Sequence, residues 1–168
     1  MRRFVQAFVD VDSFPAELPG DVSAALATAK ARYNIGKDGH ASVWAAGAAG
    51  PHHRPAPARH DAVALQAGML GSATTVVAEM QWGLVPRWSK QPSTPYTTVT
   101  ARLERAPRSR IFADAWSKRR CIVPMTGYFK WDRQRRQPWP MFVQRQDGLA
   151  LLAAGLWEHW QDEAGDMR

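Results

Sequence analysis

The chain has 168 residues, about one domain's worth and enough to bury a real core. Hydrophobic residues make up 45% of it, which excludes a disordered chain. The net charge is +7 and comes mostly from 17 Arg against 5 Lys, the residue whose planar fork suits phosphate.

FVQAFVDV (4–11) reads as a strand. DVSAALATAKARY (21–33) opens on an acidic N-cap and carries strong helix formers, so it predicts a helix. ASVWAAG (41–47) is a short strand, and AAGPHHRPAPAR an exposed Pro/Gly/Ala-rich loop. DAVALQAG and TTVVAEMQWGLV predict paired strands around GMLGSA. PRWSKQPSTPY is a second proline-rich loop. LERAPRSRIFADAWSKR (103–119) becomes helical from Ile111 onward, after Pro107. RCIVPM, GYFKWDR, PMFVQRQ and LALLAAGLW read as strands, with QDG as a hairpin turn. The pattern predicts a single α+β domain over 1–168, dominated by short strands, with a curled mixed β-sheet or barrel-like form.

Eleven cations crowd residues 102–136: Arg102, Arg105, Arg108, Arg110, Lys118, Arg119, Arg120, Lys130, Arg133, Arg135 and Arg136. Only Glu104, Asp114 and Asp132 oppose them. This composition fits a polyanion-binding face or, equally, a solvated basic surface. The single cysteine, Cys121, sits in the apolar run CIVPM and reads as core. It allows no disulfide framework and points to a reducing, cytoplasmic setting. No long apolar stretch suggests a signal peptide or membrane span. No Cys/His spacing suggests zinc, and neither metal nor cofactor is expected.

Six segments, in order, resemble the SRAP (SOS response-associated peptidase) family. RRFVQ (2–6) resembles its opening MCGRF, and RYN (32–34) its RYN-x-A-P. WGLVPRW (82–88) resembles WGL-x-P-x-W. TARLER followed by SRIF, spanning 100–112, resembles NAR-x-E-T. RRCIVPMTGYFKW (119–131) resembles RRCL-x-P-x-x-G-F-Y-E-W. QPWPMFVQRQDG…AAGLWEHW (137–160) resembles K-x-P-Y…DG…AGLW-x-x-W.

The resemblance implies a DNA-damage protein that recognises abasic sites in single-stranded DNA. In the family an N-terminal cysteine, exposed by loss of the initiator methionine, closes a thiazolidine ring with the sugar aldehyde. An Asn of NAR-x-E-T positions the reacting end, the Glu of G-F-Y-E-W handles protons, and a later His assists. Here the cysteine position holds Arg2, the Asn position Thr100 and the Glu position Lys130. The His-bearing segment falls after residue 168, so the expectation is a domain without the family's C-terminal segment. The implied DNA contacts are Arg3, Asn34, Trp88, Arg102 and Arg110.

Lys130 has three readings. Strand alternation sets Tyr128 and Lys130 on one face and Phe129 and Trp131 on the other, so Lys130 can simply meet solvent. It can fill the old carboxylate position as a fixed charge that attracts phosphate. It can attack an aldehyde as an imine-forming amine, given desolvation or a nearby cation. Trp82, Trp88 and Trp157 are open between core and stacking roles. Arg102 can equally pair with Glu104, and Asn34 can be a turn residue. Three functions compete: a non-covalent binder of single-stranded DNA lacking the family's catalysis, an amine-based abasic-site lyase acting through Lys130 or the Met1 amine, and an arginine-rich module for an acidic protein.

Overall fold

The computed structural model describes residues 2–46, 64–65, 75–134 and 136–161. Within them lie β1 (Arg3–Gln6), α1 (Gly20–Ala27), β2 (Arg32–Ile35), β3 (His40–Ala46), β4 (Ala64–Leu65) and β5 (Thr75–Gln81). There follow α2 (Ala113–Lys118), β6 (Arg120–Met125), β7 (Gly127–Asp132), β8 (Trp139–Val143) and β9 (Leu151–Leu156). One sheet has the order β2-β1-β7-β8 and the other β4-β5-β3-β6-β9. The expected α+β class holds. The pairings among these strands are antiparallel, and the two sheets do not close into a barrel.

The sheets meet at a corner. β6 and β7 are separated by one residue, Thr126, and belong to different sheets. The Thr126 hydroxyl accepts from Ala7 N–H at 3.0 Å and donates to Ala7 O at 3.1 Å, which fixes the bend. Gln6 then ties β1 to the other sheet. Its amide donates to Ser42 O at 2.8 Å and Pro124 O at 2.7 Å, and accepts from Ser42 N–H at 2.8 Å. A buried amide with these bonds met costs little, whereas its loss leaves polar backbone unpaired.

Between the sheets Phe4, Ile35, Val43, Val123, Met125 and Trp157 form the main core. A second cluster places Phe14, Leu18, Val22 and Leu26 under α1, against Trp44 and Val77. Cys121 lies in the core as the apolar run implied, and burial pushes its thiol up to about 12. A Cβ on Gly155 would meet its Sγ at 2.7 Å, so the facing position is glycine for lack of room.

Three elements differ from the sequence expectation. The strand expected over 4–11 leaves the sheet after Gln6 and turns at Val11–Ser13, where Ser13 Oγ accepts from Val9 N–H at 3.1 Å. The helix expected over 21–33 stops at Ala27, and RYNI becomes β2 instead. Helix propensity loses there because pairing with β1 buries Ile35 beside Phe4. The QDG turn forms, with Gly148 at φ +76° and Asp147 Oδ1 accepting from Leu149 N–H at 3.1 Å. It is not a hairpin turn, because β8 pairs with β7 and β9 with β6. The histidine-bearing loop (His52, His53, His60) and the GMLGSA turn lie outside the described residues. No helix among the described residues is long and apolar enough to cross a membrane.

Candidate nucleic-acid interface

Antiparallel pairing of β1 with β7 sets Arg3 opposite Phe129 and Phe4 opposite Tyr128. Phe4 is buried and Tyr128 packs against the core, so that face points inward. Continuing the register by one rung brings Arg2 opposite Lys130 on the same face, both exposed. Two exposed cations thus stand near this end of the β1–β7 pairing, where the resemblance places a cysteine and a glutamate. Like charges on opposed strands repel unless something anionic neutralises them. Met141 of β8 lies across from Lys130 on its other side. Arg3 points away from the core, and its Nη1 donates to Asn34 Oδ1 at 3.0 Å. Asn34 is therefore a strand residue oriented by an arginine, not a turn residue.

A second pair forms between the proline-rich loop and the approach to α2. The Arg110 guanidinium lies 4.8 Å from the Trp88 ring centroid, and Trp88 Nε1 donates to Arg110 O at 3.4 Å. Trp88 is 49% exposed, whereas Trp157 is buried and Trp82 packs edge-on against Phe4. The three tryptophans thus divide, with one at the surface and two in the core. Gly83 has φ +115°, a region that side chains rarely occupy, and its turn brings Leu84 N–H to Thr98 O at 3.3 Å. That bond anchors the segment leading to Thr100 and Arg102, which are both exposed. The Arg102 carbonyl accepts from Arg105 and Ala106, while its side chain has no hydrogen-bond or ion-pair partner among the described residues. Arg3–Asn34 and Trp88–Arg110 are thus brought together as two pairs, and no hydrogen bond, ion pair or ring contact links one pair to the other.

The basic stretch is not uniformly available. Arg119 is buried; its Nη2 donates to Asp114 Oδ2 and, at 2.7 Å, to Glu158 Oε2. Lys118 Nζ also reaches Asp114, at 3.0 Å. Burial opposes the charge on Arg119, but the bonds to the two carboxylates outweigh it and its pKa is raised. The hydrogen bond from Arg119, with that from Lys118, holds Asp114 at about 2. Burial raises Glu158, against the pull of Arg119. Sequence reading counted Arg119 with the polyanion face and passed over Glu158. The usable hint was WEHW, a carboxylate between two tryptophans.

The family model described as SOS response associated peptidase (SRAP) matches residues 4–168. The chain belongs to the SRAP family. An abasic site processing protein of Saccharomyces cerevisiae is 38% identical over 88 residues, which is 51% of this SRAP chain and 24% of the yeast protein. Abasic site processing protein YedK of Escherichia coli is 32% identical over 75 residues, 45% of this chain and 32% of YedK. A solved structure from Bordetella bronchiseptica superposes with a TM-score of 0.64 at 22% identity, over 99% of this chain and 68% of that one, and shows the fold. The chain spans well under half the length of these two curated relatives.

Among the described residues of this SRAP chain, the positions the resemblance assigns to chemistry hold Arg2, Thr100 and Lys130, all at the surface. Lys130 stands on an exposed part of β7, unlike the desolvated pockets that activate amine nucleophiles.

Proposed function

We propose that this chain is a DNA-damage-response protein that binds single-stranded DNA at or near abasic sites without forming the cysteine crosslink. The observation that carries the reading is the Arg3–Phe129 end of the β1–β7 register, which, carried one step further, sets Arg2 toward Lys130. Two exposed cations stand where the family chemistry needs a thiol and a carboxylate, which favours holding a phosphate over attacking an aldehyde. Arg3, oriented by Asn34, adds a fixed guanidinium on the neighbouring face. The Trp88 indole, one face covered by Arg110, supplies a surface for a base. The names of the relatives, abasic site processing proteins, support the lesion.

Binding to an intact and an abasic single-stranded oligonucleotide tests this reading. Affinity should fall steeply with salt, because cations that neutralise phosphates release counterions. Denatured mixtures should contain no crosslinked product. An affinity that stays flat between low and physiological salt would end the reading. A borohydride-trapped adduct that disappears in Lys130→Ala would establish amine chemistry in its place. Equal displacement by heparin, with no preference for an abasic strand, would point to an acidic protein partner.

A further inference from the structure

The segment Trp157–Trp160 follows β9 and plays no part in the reading above. It touches the loop that carries Trp88 and the residue that follows α2, the helix that Arg110 leads into. The first loop closes where Ser89 N–H donates to Pro86 O at 2.8 Å, and Ser89 O accepts from Trp160 Nε1 at 2.7 Å. Trp160 is only 3% exposed, so water competes poorly for that bond. In the same loop Arg87 Nε lies 3.8 Å from Glu158 Oε1. The second loop runs through Arg110 into α2, whose Asp114 binds Arg119. Arg119 in turn donates to Glu158 Oε2, and its carbonyl accepts from Trp157 N–H at 3.0 Å. One carboxylate therefore reaches the first loop directly through one oxygen and, through Arg119 and Asp114, the first turn of α2 through the other.

We infer that Glu158 and Trp160 are positioning residues that hold the Trp88 ring and the Arg110 guanidinium together as one preformed surface. Both loops have irregular backbone, and ordering them only on contact with a ligand would cost conformational entropy. Anchoring them to the end of β9 meets that cost in the free protein. Glu158 and Trp160 need touch no nucleic acid; they act through the backbone of Ser89 and the side chains of Arg87 and Arg119. The consequence for affinity rests on the binding reading above, while the positioning itself does not.

Hydrogen exchange by mass spectrometry and single-strand binding, measured on Trp160→Phe, Glu158→Gln and Trp88→Ala, separate the two. Trp160→Phe keeps the apolar bulk and removes the donor. Exchange over residues 86–93 should rise, with β6 and β9 unchanged. Affinity should fall about threefold to tenfold, the range for one hydrogen bond. The slope of affinity against salt should not move, because no cation is lost. Glu158→Gln should loosen residues 109–114 as well, and it carries the comparison if Trp160→Phe does not fold. Unchanged exchange over 86–93 in Trp160→Phe would overturn the inference. So would looser loops with full affinity, if Trp88→Ala loses affinity. If the wild-type protein binds no single strand at any salt, the binding reading fails, and the exchange data alone decide the positioning.

Discussion

Arg110 and Arg119 sit on either side of α2 and look alike in sequence, yet they live in different worlds. Arg110 is exposed and rests on an exposed indole. Arg119 is buried and shared between two carboxylates, one from the first turn of the helix that precedes it and one arriving from after β9. A count of positive residues treats them as equal contributors to an anion-attracting face. The structure makes one available and the other internal, because Glu158 reaches back from a position far along the chain. A basic run therefore predicts a binding face only after the charges already neutralised inside the fold have been removed from it.

Variants that exchange the two roles test the contrast. Arg119→Ala should have the largest effect, on stability. It leaves buried Glu158 with only the exposed Arg87, 3.8 Å away, and removing the close partner of a buried pair costs about 3–5 kcal/mol. Chemical denaturation should show this as a lower midpoint, and a midpoint unchanged by Arg119→Ala would make the pair peripheral. Arg110→Ala should leave the midpoint within about 0.5 kcal/mol, as for surface substitutions generally. On single-strand binding, Trp88→Ala should lower affinity by about tenfold, the scale of one lost base stack. Arg110→Ala should lower it less, and should reduce the salt slope by about one if its guanidinium meets a phosphate. Equal salt slopes for the two variants would mean that Arg110 serves only to cover the indole.

Much of this arrangement was legible from sequence, and the failures have a common cause. The short strands from β3 onward follow from apolar runs, and the alternation through GYFKW sets Lys130 on the face opposite Trp131. The core place of Cys121 follows from CIVPM. The helix expected over 21–33 extends too far because RYNI gains by pairing with β1, a partner that is distant in sequence. QDG looked like a hairpin because the turn is local, but which sheet each strand joins is decided by the corner at Thr126. In the candidate site, Arg3 and Asn34 are brought together and so are Trp88 and Arg110, whereas the Arg102 side chain makes no hydrogen bond or ion pair with either pair. Positions matched by resemblance carry no information about which of them share a surface. The partnership of Arg119 with Glu158 was likewise hidden, because nothing local to either residue announces it.

The smallest effect expected is also the one that isolates the exposed end of the internal network. Arg119 and Lys118 hold Asp114 at about 2, against an ordinary 3.8. A carboxyl held below its unfolded value favours the folded state when ionised. Its contribution is therefore complete above about pH 4 and disappears as pH falls toward 2. Asp147, held at about 2 by Arg145, behaves the same way and gives a matched control. Glu158 runs in the opposite sense: burial raises it, so its contribution is greatest below its unfolded value and declines as pH rises. Asp114→Asn should therefore flatten only part of the acid limb of stability, leaving the part due to Asp147. Denaturation midpoints across this acid range, compared between wild type, Asp114→Asn and Asp147→Asn, measure the partition. An acid limb that is the same in wild type and Asp114→Asn would show that Arg119 draws its stabilisation from Glu158 alone.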